Sequence, residues 1–174
     1  GDWLEVRIHR ANHTTGAPDI RKTKVPLGPV VVFGSSNFPF AYSTAGGDTA
    51  TALAAGCPVI VKGHPAHART SRMVADLIME AVREEGMPEH VFQHLHGTSF
   101  EVGRQLVMHP GIKAVAFTGS LAGGKQLFDW GQQRKEPIPV FSEMGSTNPV
   151  FLLHEQLQEG SESIARPSAR SITQ

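Results

Sequence analysis

The sequence predicts an α/β fold, an open parallel sheet with helices on both faces. Three observations carry this. Short β-branched runs recur along the chain, stretches with helical apolar spacing lie between them, and Gly-containing turns punctuate the junctions. At 174 residues the chain has the size of one ordinary domain. Its 40% hydrophobic residues supply a core, while 18 Gly and 12 Pro mark it as rich in turns.

The first clear strand is Pro29 to Phe33 (PVVVF), which runs into Gly34-Ser35-Ser36-Asn37. Small residues from Ala41 to Ala55 predict a helix stopped by Gly56. Val59 to Lys62 is the second strand, followed by His64-Pro65. The next helix has the strongest periodicity: Met73, Leu77, Ile78, Ala81 and Val82 recur at helical spacing, and Gly86 closes it. Met73, Met79 and Phe128 read as packing residues. Val91 to Leu95 predicts a third strand and Val102 to Met108 a short helix. Lys113 to Phe117 predicts a fourth strand that ends in Thr118-Gly119-Ser120, with a helix from Gly124 to Arg134. Pro139 to Phe141 and Pro149 to Leu153 predict further strands. Trp3 to Ile8 predicts an edge strand in an arm, residues 1–24, outside the main sheet. The stretch from Gln156 is polar, and Pro167 predicts an interruption of any helix there.

Charge and cysteine usage exclude several classes. Lys plus Arg and Asp plus Glu are 16 each, which argues against a general electrostatic grip on nucleic acid or an anionic membrane. No apolar run approaches the roughly 18–20 residues of a membrane span, and no signal-peptide pattern is present. The one cysteine, Cys57, allows neither an internal disulfide nor a Cys-only metal site. These features predict a reducing, cytoplasmic setting. The pairs His64/His67 and His94/His96 have close spacing, but no carboxylate or Cys completes a metal quartet, so no metal is expected.

In an open α/β sheet, ligands sit beyond the C-terminal ends of the strands. Asn37, Lys62, Ser120 and Glu143 follow or end such strands. The Thr118-Gly119-Ser120 turn offers backbone N–H groups and a hydroxyl to a phosphate, although a plain Ser N-cap has the same appearance. The Lys62 ammonium could reach a ribose hydroxyl or a phosphate, or simply snorkel to solvent. The Asn37 amide could donate to an oxyanion, or serve only as a turn residue near Pro39. Glu143 is a candidate general base or a solvated loop acid. Gly119 to Lys125 (GSLAGGK) matches the first seven positions of the P-loop pattern, but Gln126 stands where a Ser or Thr hydroxyl is needed. The Rossmann G-x-G-x-x-G is absent.

Four pieces together resemble the aldehyde dehydrogenase superfamily in order and spacing, over roughly residues 25–155. They are Pro26-Leu27-Gly28-Pro29 leading to Ser36-Asn37-Phe38-Pro39; Ala52 to Pro58 leading to Val61-Lys62; Phe117 to Ser120 with Gly124; and Glu143-Met144-Gly145. Gly46-Gly47-Asp48-Thr49 and Lys62 to His67 are similar to the branch that contains 2,5-dioxovalerate (α-ketoglutarate semialdehyde) and bacterial fatty-aldehyde dehydrogenases. The resemblance implies a Rossmann-like coenzyme domain over residues 25–146 and the truncated start of a catalytic domain over 147–174. It also implies a homo-oligomer that oxidises a small-molecule aldehyde, with 2,5-dioxopentanoate a candidate, to a carboxylate.

In such enzymes a Cys thiolate attacks the aldehyde, hydride passes to NAD or NADP, and water activated by a Glu hydrolyses the thioester. Asn37 matches the family's oxyanion donor, Glu143 its base, Lys62 the lysine at the adenosine ribose and Ser120 the serine at the pyrophosphate. Ser36, Gly119 and Gly124 belong to the same coenzyme-binding motifs. No Glu follows Lys62 to repel a 2′-phosphate and His64 could donate to one, which tilts the coenzyme toward NADP. The family's nucleophilic Cys has no counterpart after Glu143. Cys57 opens the strand that Lys62 ends, roughly 16 Å away at the opposite edge of the sheet. The expectation is a coenzyme-binding portion that does not itself turn over aldehyde. A non-catalytic nucleotide-binding or interaction module would share every binding residue.

Overall fold

The computed structural model describes residues 7–10, 14–16, 18–22, 24–145, 149, 151 and 153–173. The arm contributes β1 (Arg7–His9), which pairs antiparallel with β2 (Ile20–Lys22) in a small sheet of its own. Of the predicted edge strand Trp3 to Ile8, residues 3–6 lie outside the described residues.

The main sheet is organised by β3 (Val30–Phe33), a strand in which all four residues are buried. Continuous burial is what a parallel strand covered on both faces requires. It runs parallel to β4 (Val59–Lys62) on one side and β6 (Ala114–Gly119) on the other, with Val30 opposite both Val59 and Ala114. Outer strands β5 (Phe92–Leu95) and β7 (Val140–Met144) complete the order β5-β4-β3-β6-β7. Four helices cover the faces: α1 (Gly47–Ala54), α2 (Ala68–Glu84), α3 (Phe100–Met108) and α4 (Leu121–Gln132). Side-chain alternation along the strands gives two cores. Val30, Val32, Val59, Val61, Ala114 and Ala116 pack with residues of α1 and α2. Val31, Phe33 and Val115 pack with Val107 of α3 and Leu127 of α4. The buried Arg134 guanidinium donates to the carbonyls of Val107, Pro110 and Ile112, tying the end of α3 to the start of β6.

Several boundaries differ from the sequence expectation. The first helix starts at Gly47, not Ala41, because residues 39–46 form turns. Gly46 makes those turns possible: a Cβ there would lie 2.5 Å from the Ala41 carbonyl oxygen. On α2 the buried residues are Ser71, Ala75 and Val82, with Ile78 and Met79 packed beside them. Met73 and Leu77 face outward, 59% and 64% exposed, and Phe128 on α4 is 50% exposed, so Met73 and Phe128 are not core residues. The small side chains of Ser71 and Ala75 let α2 approach the sheet, an arrangement that size-weighted periodicity overlooks. Residues 149, 151 and 153 are not in a strand, and 150 and 152 lie outside the described residues. The polar end is α5 (His154–Thr173), kinked at Gly160 (φ −169°, ψ 46°), and its helix continues through Pro167. Pro167 is exposed there, so the chain gives up a solvent-facing backbone bond without a steric clash in the core.

A Cβ on Gly34 would lie 2.5 Å from the Ser43 Cα, a backbone atom that cannot move aside cheaply. Gly34→Ala is therefore expected to destabilise the fold by about 1–3 kcal/mol, seen as a lower urea midpoint with an unchanged m-value. An unchanged midpoint would contradict the close approach of the two turns.

Candidate functional site

The strand order reverses between β3 and β6. The chain from β3 leaves by way of α1 on one face, whereas β6 leads into α4 on the other. Such a switch point opens a crevice at the C-terminal strand ends, because the two connections diverge. Two adjoining recesses occupy it.

The larger, a cleft of about 680 Å³, is lined by Ser35, Ser36, Asn37, Thr118, Gly119, Ser120 and Glu143, with Phe38 and Tyr42 at its rim. Phe38 and Tyr42 pack edge to face at 5.5 Å. Asn37 and Glu143 are exposed to it. Glu143 comes from β7, paired in register with Thr118 of β6, and Gly145 turns the chain just after it with φ +70°. The Gly145 N–H then donates to the Gly119 carbonyl at 3.1 Å, closing the floor.

The smaller recess, about 270 Å³, has largely apolar walls from Phe33, Phe100, Phe117 and Trp130, with Lys62 and His64 on its border. Partial burial pulls the pKa of Lys62 down from its usual value. His64 is also pulled down, first by burial and then by neighbouring His67 and Lys62. Its Nδ1 accepts the Ala66 N–H at 3.1 Å, capping a short 3-10 turn at Pro65–His67. A neutral His64 therefore carries its proton on Nε2 and offers a donor there.

The sequence-derived residues thus fall into both recesses: Ser36, Asn37, Gly119, Ser120 and Glu143 in the cleft, Lys62 and His64 in the apolar recess. Ser120 is the N-cap of α4, its hydroxyl accepting the Gly123 N–H at 3.1 Å while its own O–H remains a donor. Gly124 lines neither recess. It is buried under Met144, whose Sδ would lie 2.3 Å from a Cβ, so its smallness admits β7 against α4. The P-loop match has no structural counterpart, because residues 121–125 already belong to α4 and form no phosphate-wrapping loop. Cys57 is buried two residues before β4, at the end of the strand away from Lys62.

Some residues shape the site in ways the sequence did not signal. His67 Nε2 lies 2.9 Å from the Ser35 carbonyl oxygen and fixes the loop that carries Asn37. A buried chain joins Thr44 to Ser71 at 2.7 Å and Ser71 to His94 Nε2 at 2.8 Å, tying the far end of that loop to α2 and β5. Gly63 leaves room for it, since a Cβ would lie 2.7 Å from the Ser71 hydroxyl. Asp48, at the start of α1, accepts a bond from the Thr118 hydroxyl at 3.3 Å. The only sequence signal for Asp48 was its place in Gly46-Gly47-Asp48-Thr49. The buried chain gave no signal of its bonds: the spacing of His94 and His96 points to no partner, and Thr44 and Ser71 look like ordinary surface residues.

Comparison with known proteins agrees with this architecture. The profile of the aldehyde dehydrogenase family matches residues 7–160, and the chain belongs to that family. It is 53% identical over 155 residues to alpha-ketoglutaric semialdehyde dehydrogenase 2 of Azospirillum brasilense, an alignment covering 89% of this chain and 30% of that relative. It is 48% identical over 175 residues to alpha-ketoglutaric semialdehyde dehydrogenase of Acinetobacter baylyi, covering 99% and 33% respectively. The chain thus spans about a third of the length of these relatives. Among solved structures, an NAD-dependent benzaldehyde dehydrogenase from Corynebacterium glutamicum superposes with a TM-score of 0.66 at 27% identity, over 82% of this chain and 30% of the other. The glyceraldehyde-3-phosphate dehydrogenase GapN from Methanocaldococcus jannaschii, complexed with NADP, shares the fold with a TM-score of 0.70 at 21% identity, over 83% and 30%. No helix among the described residues is long and apolar enough to cross a membrane.

The buried chain makes stability pH-dependent. Burial, helped by His96 and Arg72 and opposed by Asp76, pushes His94 from 6.5 down to about 4. A His held neutral in the fold contributes stability that is fully present above pH 6.5 and is lost as pH falls toward 4. Urea midpoints are expected to fall across that window, and His94→Gln is expected to flatten the dependence. An identical slope in the variant would assign the acid loss to other groups.

Proposed function

We propose that the chain binds NAD(P), with NADP preferred, as the coenzyme-binding portion of an enzyme that oxidises an aldehyde to a carboxylate. The favoured substrate is 2,5-dioxopentanoate (α-ketoglutarate semialdehyde). One observation carries this reading. An amide donor, a carboxylate and a helix-start hydroxyl meet in one cleft, and an apolar recess bordered by Lys62 and His64 adjoins it at the switch point. The names of the two semialdehyde dehydrogenases, about half identical to this chain, support the substrate.

The recesses fit a dinucleotide. An apolar slot of about 270 Å³ walled by aromatic rings suits a flat heterocycle, and the donors on its border suit ribose and phosphate oxygens. The bound coenzyme supplies the hydride acceptor. Lys62 donates to the ribose hydroxyls at the border. His64 presents its Nε2 proton, which suits a 2′-phosphate and underlies the preference for NADP. Ser120, together with the free N–H groups at the start of α4, receives the pyrophosphate. In the cleft, the Asn37 amide donates to the aldehyde oxygen as negative charge develops on it. In the whole enzyme Glu143 would take a proton from the water that hydrolyses the thioester, whose sulfur comes from a Cys other than Cys57. Cys57 does not supply the attacking thiolate, because it is buried at the other end of β4. The 174 residues are therefore a binding unit and not a complete catalyst.

Isothermal titration of the chain is expected to show NADP bound more tightly than NAD, and Lys62→Ala to weaken either by roughly tenfold or more. NAD binding at least tenfold tighter than NADP would overturn the preference. With aldehyde and NADP present, the mass-verified chain is expected to give no steady NADPH. Sustained production would overturn the assignment of a binding unit.

A further inference from the structure

Asp48 has no part in the chemistry just proposed, yet it stands beside it. It is half-buried in the first turn of α1, and its Oδ2 accepts the Thr118 hydroxyl at 3.3 Å. Thr118 is the in-register partner of Glu143 across the β6–β7 ladder. Paired residues of parallel strands project to the same face, so Thr118 and Glu143 share the face that α1 covers. Asp48, Thr118 and Glu143 therefore form a row from the helix to the cleft. Glu143 from β7 is the charged group that faces Asp48, and the Thr118 hydroxyl faces it from β6. On its other side lies a groove of about 240 Å³ in which Thr51 and Cys57 accompany apolar residues such as Leu27 and Phe141.

We infer that Asp48 and Glu143 are an interacting carboxylate pair on either side of Thr118, with Asp48 a positioning residue that ties α1 to the strand pair carrying the carboxylate of the cleft. Burial raises the pKa of Asp48 most, the negative charge of Glu143 raises it further, and the Thr118 bond opposes both. The inference rests on the proposed role of Glu143 for its catalytic meaning, but the coupling itself is a property of this chain.

The two neighbours act on Asp48 with opposite signs, which gives a test that a merely structural role would not satisfy. Carbon-detected NMR of the Asp48 carboxyl is followed through an acid titration of the 174-residue chain. Glu143→Gln is expected to lower its midpoint, and Thr118→Val to raise it, each by roughly half a pH unit or more. Thr118→Ser, which keeps the donor, is expected to restore the original midpoint. Unmoved midpoints, or shifts of the same sign in both variants, would overturn the pair. If Thr118→Val does not fold, Glu143→Gln and Thr118→Ser decide the matter alone: a midpoint unmoved by the first or displaced by the second overturns it. Failure of the coenzyme reading shows up separately, as absent NADP binding with these titrations intact.

Discussion

The site depends on β3 being buried on both faces between two parallel neighbours. Val30 and Val32 belong to one core and Val31 and Phe33 to the other, so the strand cannot shift by one residue without exchanging its faces. Its register with β4 and β6 fixes where all three strands end. Because β3 and β6 feed helices on opposite faces, no connection crosses the gap between their ends. The crevice is thus a consequence of chain topology, and the polar residues need only be placed at the strand ends to meet there.

Placement alone would leave Asn37 on a wandering loop. The loop from β3 to α1 is instead clamped at both ends while its middle stays open. Ser35, Ser43 and Thr44 are buried, whereas Ser36, Asn37 and Phe38 are exposed. The clamps are polar: His67 on the Ser35 carbonyl, the Ser35 N–H on the Tyr42 carbonyl, and Thr44 on Ser71 and then His94. Hydrogen bonds between buried polar groups specify one geometry more sharply than apolar packing does, and they do so here although the Nδ1 atoms of His67 and His94 have no partner among the described residues. The proposed role of Asn37 as an oxyanion donor calls for both rigidity at the loop's ends and exposure at its tip.

What the sequence made legible follows from which physical signals are local. The β-branched run at Val30 to Phe33 and the strand-end positions of Lys62, Ser120 and Glu143 are local patterns, and they place the sheet and most of the site. The helix start at Gly47 was misplaced, because small residues from Ala41 onward are compatible with either helix or turns and only the contact of Gly46 with Ala41 decides. The buried face of α2 was misread, since periodicity favours Met73 and Leu77 over Ser71 and Ala75, whose value lies in being small and in bonding Thr44. Gly124 carried a family motif but serves, in the structure, to seat Met144. Asp48 and His94 were invisible as partners because their neighbours, Thr118 and Ser71, lie 70 and 23 residues away in sequence.

The alternation of β6 accounts for the separation of the two recesses. Phe117 projects to the α3–α4 face and walls the apolar recess, while Thr118 projects to the α1 face and lines the cleft. A ligand that engages both Lys62 and Asn37 must therefore cross the ends of β3 and β6. The residue after β3 is Gly34, which borders the apolar recess, and the last residue of β6 is Gly119, which borders the cleft. Neither presents a side chain at the crossing, so backbone and ligand can approach closely there. The same missing Cβ on Gly34 lets Ser43 pack against the strand end. One glycine thus leaves room for the clamp and keeps the crossing between the two recesses free of a side chain.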